Sequence, residues 1–344
     1  MNSTAAYRRS IIAPRDARAT MIVDRVLTRR RTIQPVDWLA YKEECEAERA
    51  SDVVPEESST FDTFSIFETE HIVSNPLERV RRMFTVFPYR DLEWINAVIF
   101  TIGSMLFIVN AFFTVLPIVA PETIFEGELT IGIPATLTIA GSMFFISTAL
   151  GFVAAFNAGR GGHDAVDKKA SDSSVMPPSY CPALLGSAEF RWHPTFKEFR
   201  TVYLPNPAFQ TSLVALLGVI FLSSALVFGF PGVLDPASPQ FPQLMQFLVF
   251  LPITIGTFLL GVAAFVLTIM AQDKWYKPAL TKVAWHTSFW NLLGAVGFVV
   301  SGSITLLAPT AAFQSALASF IGSWTFLFGA LLQWYMIMDY YPRK

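Results

Sequence analysis

The sequence has little charge and long stretches with none at all. Of its 344 residues, 53% are hydrophobic and only 15% are charged. The intervals without any Asp, Glu, Lys or Arg are 94–121, 129–159, 201–234, 236–272 and 283–338. Each of them is long enough to cross a bilayer as a helix, which takes about 20 apolar residues. These absences exclude an ordinary soluble domain and indicate a membrane protein.

Cysteine and histidine are also scarce, which excludes several kinds of site. The only two cysteines, Cys45 and Cys181, are too few for a disulfide framework or a multi-cysteine metal site, and we interpret them as reduced thiols. The four histidines are scattered, and the sequence contains no nucleotide-binding loop, nucleophile elbow or HExxH motif. We therefore predict no metal, no cofactor and no nucleic-acid partner.

The charge-free intervals predict six membrane spans. The last interval is long enough for two helices, because Pro309 and the small residues after it interrupt the pattern. The fold class expected is all-α: a polytopic membrane protein whose six transmembrane helices form three hairpins. We expect spans 1 to 6 at about 94–119, 130–156, 208–230, 245–271, 285–308 and 315–338.

The positions of the basic residues predict the orientation. All 25 Lys and Arg lie in the amino-terminal segment, in two alternate loops or at the carboxyl terminus. The other loops, which contain none, are 120–129, 231–244 and 309–314. Because positively charged loops stay in the cytosol, both termini and the loop 157–207 are predicted to be cytosolic. We expect the plasma membrane or an endomembrane; Asp16 and Asp24 argue against a mitochondrial presequence.

The chain before span 1 divides into two parts. Residues 1–74 are predicted to be a disordered cytosolic tail, since basic and acidic blocks follow one another there with few apolar residues. Residues 75–90 are predicted to form an interfacial amphipathic helix, and residues 91–341 are predicted to form the six-helix transmembrane domain. The helix has one apolar stripe, formed by Leu77, Val80, Phe84 and Phe87. Its opposite face carries Arg79, Arg81 and Arg82, which we predict to contact anionic lipid. A simple basic stop beside span 1 is the alternative.

Aromatic residues accompany the bases of the predicted cytosolic loops. Trp192 lies in the loop 157–207, Trp275 in the loop 272–284, and Trp285 at the start of span 5. Tryptophan is enriched where a membrane protein meets the headgroup region. We therefore predict that these three side chains lie at the inner membrane surface.

A few amides interrupt the apolar spans. The candidates are Asn96 and Asn110 in span 1, Asn291 in span 5 and Gln333 in span 6. They are expected either to join packed helices or to line a path for a polar ligand. Because spans 5 and 6 are antiparallel, Asn291 and Gln333 fall at similar depth, and we predict a direct hydrogen bond between their amides.

Part of the sequence suggests an internal repeat. Spans 4 and 6 align at an offset of 68 residues, which matches Phe258 with Phe326 and Gly261 with Gly329. Span 2 offers a weaker match through Phe144 and Ser147. Three hairpins of one repeated design would explain these matches, and so would the frequent recurrence of Gly and Phe in membrane helices.

Two patterns in spans 5 and 6 carry a family resemblance. They are Asn291-x-x-Gly294-x-x-x-Phe298 and Gly322-Ser323-Trp324-x-Phe326-x-x-Gly329-x-x-x-Gln333-Trp334-Tyr335. Together with Phe190-Arg191-Trp192 and Lys274-Trp275-Tyr276-Lys277-Pro278, they resemble a family of uncharacterised fungal multi-pass membrane proteins, and the hairpins look like the YrhK-like two-helix domain of bacteria. The resemblance covers residues 186–341 and brings no established activity. Such relatives carry an acid where this chain has Met336.

The charge-free spans also bear on function. Ionisable groups within spans are the usual mark of ion or proton coupling, so a coupled transporter is disfavoured. We predict a non-enzymatic membrane module that organises membrane lipids or protein partners, or passes a neutral solute; its tail could bind a protein partner or a second copy of the chain. The alternative is a membrane-embedded enzyme on a lipidic or terpenoid substrate, which requires a positioned acid. The candidate acids are Glu122, Glu126, Glu128, Glu198, Asp273 and Asp339.

Overall fold

The computed structural model describes residues 76–158, 160 and 182–341. The predicted tail 1–74, the two cysteines and part of the loop 157–207 lie outside the described residues.

The described chain is helical, with six long apolar helices. Its main helices are α1 (Pro76–Met83), α2 (Leu92–Val119), α3 (Ile133–Asn157), α4 (Pro207–Gly229), α5 (Leu251–Met270), α6 (Val283–Leu307) and α7 (Ala312–Ile337). Helices α2 to α7 are long and apolar enough to cross a membrane, and no β-strand occurs among the described residues. They correspond to spans 1 to 6, which confirms the prediction of an all-α, multi-pass membrane protein. The orientation of its termini stays a prediction.

Short turns of other helix types extend these helices. A π-helical turn, Glu128–Gly132, leads into α3, and a 3₁₀ turn, Met338–Tyr340, follows α7. The chain enters α5 through Phe241–Leu244 and Met245–Phe250. The remaining short turns are Pro121–Thr123, Phe196–Glu198 and Phe199–Tyr203.

The helix ends follow local sequence signals. The side chain of Asn206 accepts a hydrogen bond from the Ala208 backbone N–H at 2.9 Å, and Pro207 occupies the first position of α4. This is the usual start of a helix, since the cap satisfies a free backbone donor and proline lacks one. The predicted break at Pro309 is confirmed: α6 ends at Leu307 and α7 begins at Ala312. Helix α1 is shorter than the predicted range 75–90.

The described residues belong to two compact units, which we describe separately. The first contains residues 76–95, 153–158, 160, 182–203 and 334–341. The second contains residues 96–152 and 204–333, and with them most of the membrane-spanning helices.

Phenylalanine rings form the core of the second unit. Phe100, Phe144 and Phe326 are buried together, with Phe107 and Phe298 packed against them. The ring centroids of Phe100 and Phe144 lie 5.0 Å apart, and those of Phe144 and Phe326 lie 5.4 Å apart, both edge to face. Such pairs add to the packing energy of the buried area. The cluster joins α2, α3, α6 and α7, while α5 packs against both α4 and α6.

Hydrogen bonds hold the first unit together at the ends of its helices. Arg90 Nε donates to the carbonyl of Leu185 at 2.7 Å. The amide of Asn157, at the end of α3, bonds both backbone groups of Arg191: it donates to the carbonyl at 2.8 Å and accepts from the N–H at 2.9 Å. The loop 157–207 is therefore tied to the end of α3 at Arg191.

Candidate functional site

The first amide of the spans, Asn96, serves the packing of α2 against α3. Its Oδ1 accepts a hydrogen bond from Ser147 Oγ at 2.5 Å, and both residues are buried. A Cβ atom at Gly151 would lie 2.9 Å from Asn96 Nδ2, so the missing side chain at Gly151 makes room for the amide. Because the oxygen already has its donor within the hairpin, Asn96 acts as a packing residue here.

The second amide, Asn110, joins the same two helices nearer their connection. Its Nδ2 donates to the carbonyl of Ile133 and to Thr136 Oγ1, both at 2.9 Å. Both acceptors lie in the first turn of α3, so the amide joins α2 to the start of that helix. Asn110 is therefore also a helix-packing residue in this arrangement.

The predicted hydrogen bond between Asn291 and Gln333 is not formed. Among the described residues, Asn291 Oδ1 is buried and has no hydrogen-bond partner. The amide lies against Gly329, one helical turn before Gln333, in the space that a Cβ atom at Gly329 would fill. The prediction was wrong because Gly329 has no side chain, so the Asn291 amide packs against the backbone of α7 there and does not reach the Gln333 side chain.

The two hairpins that carry these asparagines share one packing pattern. Asn96 of α2 faces Ser147 of α3, three residues after Phe144, and Asn291 of α6 faces Gly329 of α7, three residues after Phe326. Both phenylalanines lie in the same buried cluster. The one difference is that serine supplies a donor in the first hairpin, whereas glycine supplies none in the last.

Helix α5 does not share this pattern, although its sequence matches that of α7 more closely than the sequence of α3 does. Phe258 is 58% exposed, whereas its counterpart Phe326 is 5% exposed. A Cβ atom at Gly261 would meet only Ala295 of α6, at an ordinary 3.5 Å. The offset of 68 residues therefore does not place equivalent residues in equivalent surroundings, and a repeat of all three hairpins stays a prediction.

A cluster of hydroxyl groups joins α6 to α7 near their connection. Ser315 Oγ donates to the carbonyl of Ser301 at 3.0 Å and lies 2.8 Å from Thr305 Oγ1. The hydroxyls of Ser301 and Ser315 lie 3.0 Å apart. These groups satisfy one another, so the cluster is another polar contact between two neighbouring helices. In the sequence, Ser301 and Thr305 continue the stripe of Asn291 at helical spacing in span 5, whereas Ser315 carried no signal of its own.

The three arginines of α1 have three different surroundings. Arg82 is 2% exposed, and its Nη1 donates to the carbonyls of Tyr341 at 2.7 Å and Met338 at 3.2 Å. Arg79 pairs with Asp339 at 2.9 Å and lies over the ring of Tyr335. Only Arg81 is open to its surroundings, with 76% of its side chain exposed.

Arg82 and Arg79 are therefore held by protein groups, and the position of the three arginines at the membrane surface stays a prediction. The carbonyl groups at the end of a helix lack intrahelical donors and carry the negative end of the helix dipole, so they attract a buried guanidinium. Arg79 and Arg82 thus contact the protein, whereas Arg81 is exposed, and so are Val80 and Phe84 of the apolar stripe.

The tryptophans predicted at the membrane surface also differ. Trp192 and Trp275 are exposed, Trp275 to 76%. Trp285 is only 6% exposed and stacks on Phe289 with ring centroids 4.7 Å apart. Its ring faces inward because Gln272 offers a hydrogen-bond acceptor: with the carboxamide oriented to suit its neighbours, the Gln272 oxygen lies 2.8 Å from Trp285 Nε1. The position of the three tryptophans at the membrane surface stays a prediction.

The acids considered for catalysis are held in their charged form or already engaged. Hydrogen bonds from the backbone and side chain of Thr195 lower the pKa of Glu198 below its usual value. A hydrogen bond from Lys282, at 2.8 Å, lowers the pKa of Asp273. Such carboxylates are poor proton donors at neutral pH, because catalysis by a general acid requires a raised pKa.

The other candidate acids fall into two groups. Asp339 forms the ion pair with Arg79, and buried Glu128 accepts a hydrogen bond from the Phe125 backbone N–H at 3.2 Å. Glu122 and Glu126 are exposed in the connection between α2 and α3. Asp339 and Glu128 are therefore bonded to neighbouring groups, while Glu122 and Glu126 lie at the surface.

The described residues contain no group of three or more His, Cys, Asp or Glu side chains that could hold a metal ion. His286 Nε2 instead lies 2.7 Å from the carbonyl of Leu280. No family model, no curated protein and no solved structure matches the chain. The resemblance to the fungal family therefore stays a prediction.

Proposed function

We propose that this multi-pass membrane protein is a non-enzymatic membrane module that binds and organises the lipids around it. The observation that carries the proposal is the orientation of α1. Its buried and paired arginines, Arg82 and Arg79, contact residues 335–341, and the apolar side chains Leu77, Val80 and Phe84 are exposed, beside Arg81. Exposed apolar side chains directly before a membrane span suit the boundary between headgroups and acyl chains.

The bonding of the polar groups supports the same proposal. Asn96, Asn110 and Ser315 each use their polar atoms on a neighbouring helix. Groups used in this way hold helices together and are less suited to bind a passing solute. The acids Glu198 and Asp273, with lowered pKa values, likewise argue against an enzyme that begins by protonating its substrate.

The contact of α1 with lipid can be measured by fluorescence quenching. In full-length protein with Cys45→Ser and Cys181→Ser, a cysteine at position 80 or 81 would carry an environment-sensitive dye, in nanodiscs containing lipids with a quencher on the acyl chain. We expect strong quenching for Val80→Cys and weak quenching for the matched control Arg81→Cys. Equal and weak quenching at both positions would refute the lipid contact of α1.

The two alternative functions, a path for a neutral solute and an enzyme, predict different experimental results. In liposomes, the purified protein would pass a neutral solute if it forms a facilitative path, and Asn291→Ala would abolish this flux. Such a result would contradict the proposal. Loss of one cyclised lipid product on gene deletion, restored by the wild type but not by Asp339→Asn or Asp273→Asn, would replace it by an enzyme. We expect no flux for a panel of neutral solutes and no missing product.

A further inference from the structure

We propose that the turn Lys274–Lys277 is a preformed binding site for the phosphate group of an anionic membrane lipid. This inference rests on the proposed lipid-binding function and assigns one lipid class to one place. The turn connects α5, which ends at Met270, to α6, which begins at Val283. Since both helices are apolar spans, the turn lies where the chain leaves the membrane.

The backbone of the turn is held from inside by Gln272. In the orientation that suits its neighbours, the Gln272 amide nitrogen lies 3.1 Å from each of three carbonyl oxygens, those of Lys274, Trp275 and Lys277. The Lys277 backbone N–H donates to the Lys274 carbonyl at 2.9 Å. The Gln272 oxygen accepts from buried Trp285, so the turn is anchored to α6. A turn fixed in this way loses little freedom when it binds a ligand.

Both lysines of the turn, Lys274 and Lys277, are exposed. Asp273, the nearest acid in sequence, pairs with Lys282 at 2.8 Å, and Lys277 lowers the pKa of Asp273 less than Lys282 does. Among the described residues, neither Lys274 nor Lys277 forms an ion pair with a carboxylate. The turn therefore presents two positive charges, and a phosphate group is their complement.

The apolar side chains of the turn favour a lipid over free phosphate. Trp275 and Tyr276 are exposed and touch edge to face, with ring centroids 5.7 Å apart, and Leu280 is exposed three residues after Lys277. Tryptophan and tyrosine rings settle among headgroups at the membrane boundary. The phosphate of a lipid headgroup is held at the depth where these rings lie, so it can meet the two lysines beside them. Free inorganic phosphate is not held at that depth.

The test measures lipid binding to the full-length protein by native mass spectrometry. Detergent-purified protein is titrated with phosphatidylserine and, separately, with phosphatidylcholine of the same acyl chains. We expect tighter binding of phosphatidylserine and a loss of roughly 30-fold in Lys274→Gln/Lys277→Gln, which corresponds to ~1 kcal/mol for each lysine. Phosphatidylcholine carries the same phosphate, but its choline cation makes the headgroup neutral, so its binding is expected to stay unchanged in this variant.

Two further variants separate a built site from general attraction. Lys197→Gln/Arg200→Gln removes the same charge from exposed residues of another loop and should leave phosphatidylserine binding unchanged. Gln272→Met keeps both lysines but loses the donor that holds the three carbonyls, and it should weaken phosphatidylserine binding. Equal loss in both double variants, or full binding in a folded Gln272→Met, would overturn the proposal.

The wild type distinguishes failure of the site from failure of the proposed function. If it binds both lipids equally well, the site for an anionic lipid is refuted while lipid binding stands. If it retains neither lipid, the proposed function fails as well. A folded Gln272→Met variant should elute as a single species. If it does not, the comparison of the two double variants still decides between a built site and general attraction.

Discussion

At the scale of single residues, Asn96 and Asn291 show how one neighbour changes the role of an amide. Asn96 has its donor in Ser147, whereas Asn291 meets Gly329 and leaves Oδ1 without a partner among the described residues. A buried acceptor without a donor costs free energy, and close packing against the glycine compensates for part of that cost. The same residue type thus bonds in one hairpin and packs in the other.

Replacing Gly329 by alanine tests this packing. The added Cβ would overlap the Asn291 amide, so we expect Gly329→Ala to lower the free energy of unfolding by about 1 to 3 kcal/mol, the usual cost of overpacking. Asn291→Ala should relieve most of this loss in the double variant. Unfolding in mixed micelles, followed by circular dichroism, measures both effects.

Gly261 provides the matched control. Its added Cβ would meet only Ala295 at 3.5 Å, so Gly261→Ala should be neutral or stabilise by up to about 1 kcal/mol through helix propensity. Similar losses at both glycines would mean that the Asn291 contact is not what limits position 329.

The hydrogen bond of Asn96 gives a second prediction at this scale. Ser147→Ala removes the donor to Asn96 Oδ1 and should lower the free energy of unfolding by about 0.6 to 1.7 kcal/mol, the range for hydrogen bonds between membrane helices. Ser223 returns its hydroxyl to the Val219 carbonyl of its own helix, so Ser223→Ala should change stability little. A loss no greater than that of Ser223→Ala would contradict the assigned role of Ser147.

At the scale of elements, α1 and the end of α7 behave as one structure. Arg82 bonds the last carbonyls of this segment, Arg79 pairs with Asp339, and the Tyr341 hydroxyl donates to the carboxylate of Asp91. A helix of eight residues has little stability by itself, so these contacts are what hold α1 in place. They also determine which side chains of α1 are exposed.

The cap provided by Arg82 can be tested with its neighbour as the control. Arg82→Met keeps a long apolar side chain but leaves the carbonyls of Tyr341 and Met338 without their charged donor. We expect the free energy of unfolding to fall by about 2 to 3 kcal/mol. Arg81→Met, at an exposed position, should change it by less than about 0.5 kcal/mol. Equal stability of the two variants, measured by chemical unfolding in micelles, would rule out a structural role for Arg82.

At the scale of the whole molecule, the distribution of bases predicts which connections share a side of the membrane. With six spans, the connection between α2 and α3 and the connection between α5 and α6 must lie on opposite sides. The first contains no Lys or Arg, and the second contains Lys274, Lys277 and Lys282. Positively charged loops stay in the cytosol, so the second connection is expected there.

Labelling with a membrane-impermeant thiol reagent tests this topology. In a chain with Cys45→Ser and Cys181→Ser, Lys277→Cys should react only from the cytosolic side of sealed vesicles. Glu126→Cys, in the other connection, should react only from the opposite side. Reaction of both cysteines from one side would contradict the six-span arrangement, and exchange of the two sides would contradict the orientation alone.

The sequence alone determined the class, the number of spans and nearly all their limits. Span 3 was expected at 208–230, and α4 runs from Pro207 to Gly229, because Asn206 and Pro207 start a helix by local rules and the charge-free interval limits its length. These features depend on neighbouring residues in the chain and on the cost of placing charge in lipid, and both can be evaluated without a fold.

Only the tertiary structure decided which polar groups meet. The sequence could place Asn291 and Gln333 at similar depth but not show that the amide would lie on Gly329, since that depends on the rotation and spacing of two packed helices. It could find the two faces of α1 but not which of them turns inward, because the acceptors for Arg82 come from the carboxyl end of the chain. Contacts between distant segments depend on packing, and packing is set by the whole chain at once.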